Sequence, residues 1–299
     1  MATVEKSYDL ESFRKATKSA SGRIGYILSG ILMLVCGCGP SAVDMCAEAR
    51  KKFLDGKNME SFHDYSNVID KYPNHSDAYN GQGNCHVIKG SLVDIQKAVI
   101  SYTKAIELDQ NNDQPYMNRA KCYVVLGKTL EAYDDASKAI ELDPSNSAYC
   151  VSRGEILRKM QRTDDALKDL NKAIGMDDGY MDYYQHRAYL HKTMDVMDKA
   201  ADDVDRALKC TKVSHLTNRS LKQVMSEVCC YKGSILDGKG DTKGALEWYS
   251  KAMREDEKNA RPYLDRGDLY KRHHTWRESE ADLAKAKELE EKYPERNDN

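Results

Sequence analysis

The 299-residue chain has little phenylalanine or tryptophan and almost no net charge. Three Phe and two Trp stand beside 19 Tyr, and tyrosine suits a thin, half-exposed core because its ring can be buried while its hydroxyl stays in water. Lys and Arg number 46 against 48 Asp and Glu, a balance that argues against a nucleic-acid partner bound through a phosphate-neutralising surface. With 40 % hydrophobic and 31 % charged residues, the sequence is that of a folding chain.

Regularly spaced cysteine and histidine pairs are missing as well. The nine cysteines fall at irregular spacings, and their odd number in a long chain does not indicate a disulfide framework. Only Cys36 with Cys38 and Cys229 with Cys230 are close, and no His lies at zinc-finger spacing. We therefore expect thiols that fill small packing sites between helices, with no metal and no cofactor.

Complete enzyme motifs are also absent from the sequence. Residues 127–129 (Gly-Lys-Thr) end like a P-loop, but Cys122 stands where the first Gly belongs, and the glycine-rich stretch 238–244 has no P-loop ending. Both are predicted to be inter-helix turns. His186 and His191 are five apart, which places them on different helix faces, and we expect them to be solvated or packed. The chain is expected not to be an enzyme.

Residues 1–41 differ from everything that follows. A basic flank precedes the uncharged stretch 24–43. Its central apolar segment, 26–35, is too short to span a bilayer of about 30 Å. Such a flank, a short apolar stretch and small residues are typical of a secretory signal. Residues 35–38 (Val-Cys-Gly-Cys) resemble the lipobox of bacterial lipoprotein signals, a resemblance that implies lipidation of Cys38 as the mature N-terminus. An uncleaved membrane anchor, an ordinary signal and a buried capping helix stay open.

A period of 34 residues organises the remainder of the chain. The strings at 105–109, 139–143 and 173–177 are near-identical and recur at that spacing, which is the length of a helix-turn-helix solenoid unit. Extending the register predicts seven repeats: 42–75, 76–112, 113–146, 147–180, 181–214, 226–259 and 260–293, with 294–299 as a C-terminal tail. Two insertions are needed, near 91–93 and at 215–225, and we expect the second to elongate a helical hairpin between the fifth and sixth repeats.

Two positions of every repeat carry only Gly, Ala or Ser, as expected where helices cross closely. The eighth position reads Ala49, Gly83, Ala120, Gly154, Ala188, Gly233 and Gly267, and the twentieth reads Ser61, Ala98, Ala132, Ala166, Ala200, Ala245 and Ser279. Each hairpin leaves an apolar face that only its neighbours can cover, so stability is expected to come from stacking.

These units resemble the tetratricopeptide repeat, whose pattern runs aromatic, small, aromatic, Gly, Ala, aromatic, Ala, Pro. The third unit matches best, through Tyr116, Ala120, Tyr123, Gly127, Ala132, Ala139 and Pro144. The resemblance implies an all-α fold, an α-solenoid of fourteen antiparallel helices that form a right-handed superhelix without strands. It also implies a protein–protein interaction scaffold that binds a peptide or protein segment in a concave groove.

In this family the ninth and twelfth positions of the first helix of each repeat face the concave side. Carried over to this chain, the resemblance implies a partner-binding groove of Phe53, Asn84, Val87, Lys121, Val124, Glu155, Arg158 and Tyr189. An extended segment would place apolar side chains on the twelfth positions of the first three repeats and polar groups on the later residues. The alternative is that the twelfth positions only pack between helices.

A second subclass of the family grips a terminal carboxylate, and its basic residues are missing here. Asn80, Ala148 and Ser152 stand where basic residues are required, so a terminal carboxylate would gain little and this ligand class is rejected.

The N-terminal segment favours attachment to a membrane in a bacterial cell envelope. A cytosolic or organellar co-chaperone or assembly factor stays open as the alternative.

Overall fold

The computed structural model describes residues 40–214 and 220–293. The predictions made for the signal segment and for Cys38 therefore lie outside the described residues. The chain divides into two compact bodies, Met1–Leu108 and Asp109–Asn299, here called the N-terminal body and the C-terminal body.

The N-terminal body contains two helical hairpins in its described part. Its helices are α1 (Ala42–Leu54), α2 (Asn58–Lys71), α3 (Ser76–Lys89) and α4 (Leu92–Leu108). Helix α1 begins with a capping box, in which Ser41 accepts a hydrogen bond from the backbone of Asp44 and the Asp44 carboxylate bonds back to Ser41. Helix α3 ends at Gly90, whose φ of 75° lies in the left-handed region that glycine tolerates best. The three-residue insertion near 91–93 therefore falls at the end of the turn between α3 and α4 and at the start of α4.

The C-terminal body contains five further hairpins in its described part. Its helices are α5 (Asp113–Val125), α6 (Thr129–Leu142), α7 (Ser147–Lys159), α8 (Thr163–Met176), α9 (Met181–Thr193), α10 (Met197–Ala207), α11 (Leu221–Gly238), α12 (Thr242–Glu255), α13 (Arg261–Arg272) and α14 (Trp276–Lys292). Consecutive helices pair as hairpins, and each hairpin packs on the next. The described ranges hold fourteen helices and no strand beyond one isolated bridge between Tyr180 and Lys212. The all-α repeat fold is confirmed, whereas the handedness of the superhelix stays a prediction.

The small residues at the eighth position of each repeat lie at the helix crossings, all of them buried. Two of the glycines face a tyrosine ring of their partner helix: a Cβ on Gly83 would lie 2.5 Å from Tyr102, and one on Gly233 would lie 2.7 Å from Tyr249. Because real side chains do not approach that closely, glycine allows the tyrosine ring to lie against the first helix in these two repeats. Ala120 and Ala132, at the corresponding crossing of the third repeat, are fully buried.

Four hairpins are cross-linked by the same buried ion pair. Each pair joins an arginine of the first helix to an aspartate sixteen residues later on the second: Arg119 with Asp135, Arg153 with Asp169, Arg187 with Asp203, and Arg266 with Asp282. Each guanidinium contacts both carboxylate oxygens of its partner, and each Asp side chain is at most 10 % exposed. Such bidentate pairs fix the relative rotation of the two helices as well as the distance between them.

The insertion 215–225 extends only one of the two helices that flank it. Helix α11 begins at Leu221, ahead of the expected start of the sixth repeat at 226, and Ser220 with Gln223 forms a capping box at its N-terminus. Helix α10 ends at Ala207. The first helix of the sixth repeat is therefore longer than the others of its kind, whereas the preceding helix is short.

Candidate functional site

A pocket of about 200 Å³ opens on the C-terminal body between the first helices of three successive hairpins. We call it the apolar pocket. It is lined by Met117, Lys121 and Val124 of α5, by Val151, Ser152, Glu155, Ile156 and Lys159 of α7, by Asp182 and His186 of α9, and by Ser214. Its floor consists of Met117, Val151 and Ile156, each at most 3 % exposed.

The pocket follows from helical spacing in the sequence. Met117, Lys121 and Val124 recur at intervals of four and three residues, which places them on one face of α5. Val151 and Glu155 recur in the same way on α7. Because the repeat returns the chain to the same register every 34 residues, these faces lie side by side and form one wall.

A second cavity of about 390 Å³ adjoins the first and shares Met117, Lys121 and Ser214 with it. We call it the polar pocket. Amides and hydroxyls dominate its lining, which is completed by Gln114, Asn118, Asn146, Ser147, Ala148, Tyr149, Tyr180 and Tyr183. Side-chain amides and hydroxyls can donate and accept hydrogen bonds, so this wall is suited to the backbone of an extended peptide.

Glu155 is the central charged group of the apolar pocket. Its Oε1 lies 2.8 Å from Nδ1 of His186, and Nη2 of Arg158 donates to its Oε2 at 3.2 Å. Burial raises the pKa of Glu155, but the contacts with His186 and Arg158 outweigh it and lower the pKa to about 2. The guanidinium of Arg158 also lies over the ring of Tyr189, 5.0 Å from its centroid. Glu155 is therefore ionised and held within a network of the protein's own side chains.

This network was not predicted from the sequence. Glu155 and Arg158 were expected to meet the polar groups of a partner, but in the structure they bond to each other and to His186. His186 and His191, expected to be solvated or packed, are packed, and each contacts a carboxylate; Nδ1 of His191 lies 2.9 Å from Asp203. A partner would meet these residues as a preformed cluster.

Asp182 and Ser214 are site residues that sequence reasoning missed. Asp182 is fully buried at the start of α9 and accepts hydrogen bonds from the backbone N–H of Ser214, at 2.9 Å, and from the Ser214 hydroxyl. The N–H of Met181 donates to the carbonyl of Lys212 at 2.9 Å. The chain that leaves α10 thus runs back along the N-terminal end of α9 and brings Ser214 to the rim of both pockets.

The structure brings five of the predicted groove residues together in the C-terminal body. Lys121, Val124 and Glu155 line the apolar pocket, and Arg158 and Tyr189 adjoin it through the Glu155 network. Val124 is half-buried and packs against the core while it lines the pocket, so both roles weighed for the twelfth position apply to it.

The three remaining groove residues belong to the N-terminal body. Phe53 is half-buried against the core of that body, and Val87 is 36 % exposed. The Oδ1 atom of Asn84 accepts a hydrogen bond from the hydroxyl of Tyr102 at 2.7 Å. Asn84 therefore already serves the internal packing of its hairpin.

The fold and the pocket define the class of protein: an all-α solenoid of repeated helical hairpins, in which the first helices of three hairpins line a pocket. The sequence profile of the tetratricopeptide repeat matches residues 113–146 and 147–180, which are the bounds predicted for the third and fourth repeats. These two repeats of the chain are therefore recognised as tetratricopeptide repeats. A search of curated proteins gives no match.

Solved structures with the same fold include several proteins of this class. A tetratricopeptide repeat protein from Parabacteroides merdae aligns over 84 % of this chain and 94 % of its own, with a TM-score of 0.65 and 18 % identity. The pilF protein of Pseudomonas aeruginosa aligns over 74 % and 94 %, with a TM-score of 0.61 and 13 % identity. The Cut9–Hcn1 hetero-tetramer of the APC/C aligns over 81 % of this chain and 45 % of that chain, with a TM-score of 0.67 and 11 % identity. At these identities the likeness shows the fold alone.

Proposed function

We propose that this chain is a protein–protein interaction scaffold whose C-terminal body binds an extended segment of a partner protein. The observation that carries the proposal is the apolar pocket, in which Met117, Val151 and Ile156 form an apolar floor on the first-helix face. Burial of one Leu, Ile or Phe side chain of a partner there would contribute about 1.5–3 kcal/mol.

The polar pocket supports an extended ligand rather than a single side chain. It adjoins the apolar pocket, and the side-chain amides of Gln114, Asn118 and Asn146 belong to its lining. A segment that places one apolar side chain in the apolar pocket can continue over these amides with its backbone groups hydrogen-bonded. This pairing of an apolar and a polar site suits a ligand that extends beyond one side chain.

We further propose that the scaffold is held at a bacterial envelope membrane through a lipid on Cys38, as the lipobox-like residues 35–38 suggest. A cytosolic or organellar co-chaperone or assembly factor is the second candidate, in which 24–43 would act as a capping helix or membrane anchor. Within the two described ranges, the helices are either too short or too polar to cross a bilayer.

A random peptide library displayed on phage and selected on the purified full chain tests the proposed binding. Peptides selected on the wild type should lose binding to the double variant Val124→Asp, Lys121→Glu, which places two negative charges in the apolar pocket. The control variant Val125→Asp, Lys128→Glu makes the same changes nearby, at residues that do not line either pocket, and should bind normally.

The fold of the variants is measured in the same experiment, by circular dichroism and thermal unfolding. Because Val124 also packs against the core, Ser152→Trp serves as a second pocket variant that fills the cavity without removing a core contact. Peptides that bind all variants equally well, or a wild type that selects no peptide, would remove the assignment of the pocket.

A further inference from the structure

The charged groups in and beside the apolar pocket include more cations than carboxylates. Its lining includes the lysines Lys121 of α5 and Lys159 of α7, and Arg158 adjoins it. The carboxylates of the lining are Glu155 and Asp182. With His186 neutral, the formal charges of the lining cancel, and Arg158, which is paired with Glu155, adds one positive charge beside the pocket.

Both carboxylates are already engaged by the protein itself. Glu155 contacts His186 and Arg158, and Asp182 accepts two hydrogen bonds from Ser214. An anionic group that entered the pocket would therefore meet one carboxylate that is ion-paired and one whose oxygens already accept hydrogen bonds. A cationic group would have to displace His186, Arg158 or Ser214 to find a partner.

The two lysines lie beside the apolar floor rather than away from it. Lys121 lies one helical turn from Met117 on α5, and Lys159 lies one turn from Ile156 on α7. Desolvation lowers the pKa of Lys121, and a negative charge placed beside its ammonium would favour the charged form. An apolar side chain on the floor would thus have a cation next to it on both helices.

We propose that the partner segment carries an apolar side chain flanked by aspartate or glutamate, within a chain rather than at its C-terminus. The apolar side chain occupies the floor of the apolar pocket, and the acidic flanks lie against Lys121 and Lys159. This inference rests on the proposed function and names the chemistry of the partner for the same pocket. It differs from the rejected terminal-carboxylate class because no C-terminal carboxylate is involved.

The selected peptides test this chemistry directly. Peptides recovered on the wild-type chain and lost on Ser152→Trp should be enriched in Leu, Ile, Phe or Met with Asp or Glu beside it. A synthetic peptide of that consensus should bind the variant Lys121→Glu, Lys159→Glu with an affinity lower by about tenfold or more than its affinity for the wild type. The control variant Lys168→Glu, Lys172→Glu reverses two lysines of α8, outside both pockets, and should bind as the wild type does.

Changes in the peptide and in the salt concentration complete the test. Replacement of the acidic residues of the peptide by Asn or Gln should weaken its binding to the wild-type chain. Added salt should lower the affinity of the acidic peptide more than the affinity of the neutral peptide. Pocket-dependent peptides without acidic enrichment, or affinities unchanged in Lys121→Glu, Lys159→Glu, would overturn this inference and leave the proposed function standing. Failure to recover any pocket-dependent peptide would overturn both.

Discussion

At the scale of the residue, side chains around the apolar pocket divide into those that hold the fold and those that face outward. Val124 does both, since it packs against the core and lines the cavity. Glu155 faces the cavity, but its oxygens are committed to His186 and Arg158. Substitutions at such residues change folding and binding together, so pocket variants need a stability measurement beside each binding measurement.

Ionised Glu155 stabilises the folded state, because its pKa of about 2 lies below the ordinary glutamate value of 4.5. The stabilisation is complete above about pH 4.5 and is lost as the pH falls toward 2. We expect the wild type to exceed Glu155→Gln in free energy of unfolding by about 2 kcal/mol at about pH 5–6. The difference should vanish near about pH 2.

Urea unfolding of both proteins across this pH range measures the effect. Glu141, which is 70 % exposed in an ion pair with Lys138, provides the matched control: Glu141→Gln should show little change at any pH. A difference between wild type and Glu155→Gln that stayed constant with pH would contradict the ion-pair network.

At the scale of the element, the hairpin is the unit that the sequence encodes most directly. The 34-residue period and the small residues at the eighth and twentieth positions are enough to place the helix pairs, because close crossing excludes larger side chains. The pocket was harder to predict. The contact of Glu155 with His186 joins two neighbouring repeats, and a pattern read within one repeat does not show it.

The segment around Ser214 lies outside the repeating pattern altogether. No periodic signal links Ser214 to Asp182, because the chain there departs from the hairpin after a short α10.

The early start of α11, in contrast, has a local signal in the sequence: Ser220 followed three residues later by Gln223 is a capping-box sequence. The aspartates that pair with Arg119 and its equivalents could likewise have been found from their constant spacing of sixteen residues.

The arginine–aspartate pairs should stabilise individual hairpins. Arg153 contacts both oxygens of Asp169 on α8 and also donates to Ser137 of the preceding hairpin, so it joins three helices. We expect Asp169→Asn to lower the free energy of unfolding by about 2 kcal/mol, because it leaves a half-buried guanidinium without its counter-charge.

Chemical denaturation of the full chain measures this loss. Lys138→Met removes an exposed ion pair on α6 and should change stability by less than about 0.5 kcal/mol. Equal effects of the two substitutions on the free energy of unfolding would show that the arginine–aspartate pairs stabilise the hairpins no more than an exposed ion pair does.

At the scale of the whole molecule, the proposed lipid on Cys38 predicts where the protein fractionates. If Cys38 is lipidated, the native protein fractionates with membranes, and Cys38→Ala releases or misprocesses it. Each buried acyl CH₂ contributes about 0.8 kcal/mol, so more than one chain makes the attachment stable. Cys36→Ala is the matched control and should stay attached. Attachment that survives Cys38→Ala would point instead to residues 24–43 as an uncleaved anchor.

The central claim, that a partner segment enters the apolar pocket, is tested most directly by methyl NMR of the full chain during titration with a selected peptide. The account predicts shifts at the methyl groups of Met117, Val124, Val151 and Ile156, which line the pocket. The methyl groups of Val125 and Leu130, exposed on the same hairpin, should stay unchanged. Shifts confined to exposed residues or to the N-terminal body, with the four pocket residues unmoved, would contradict it.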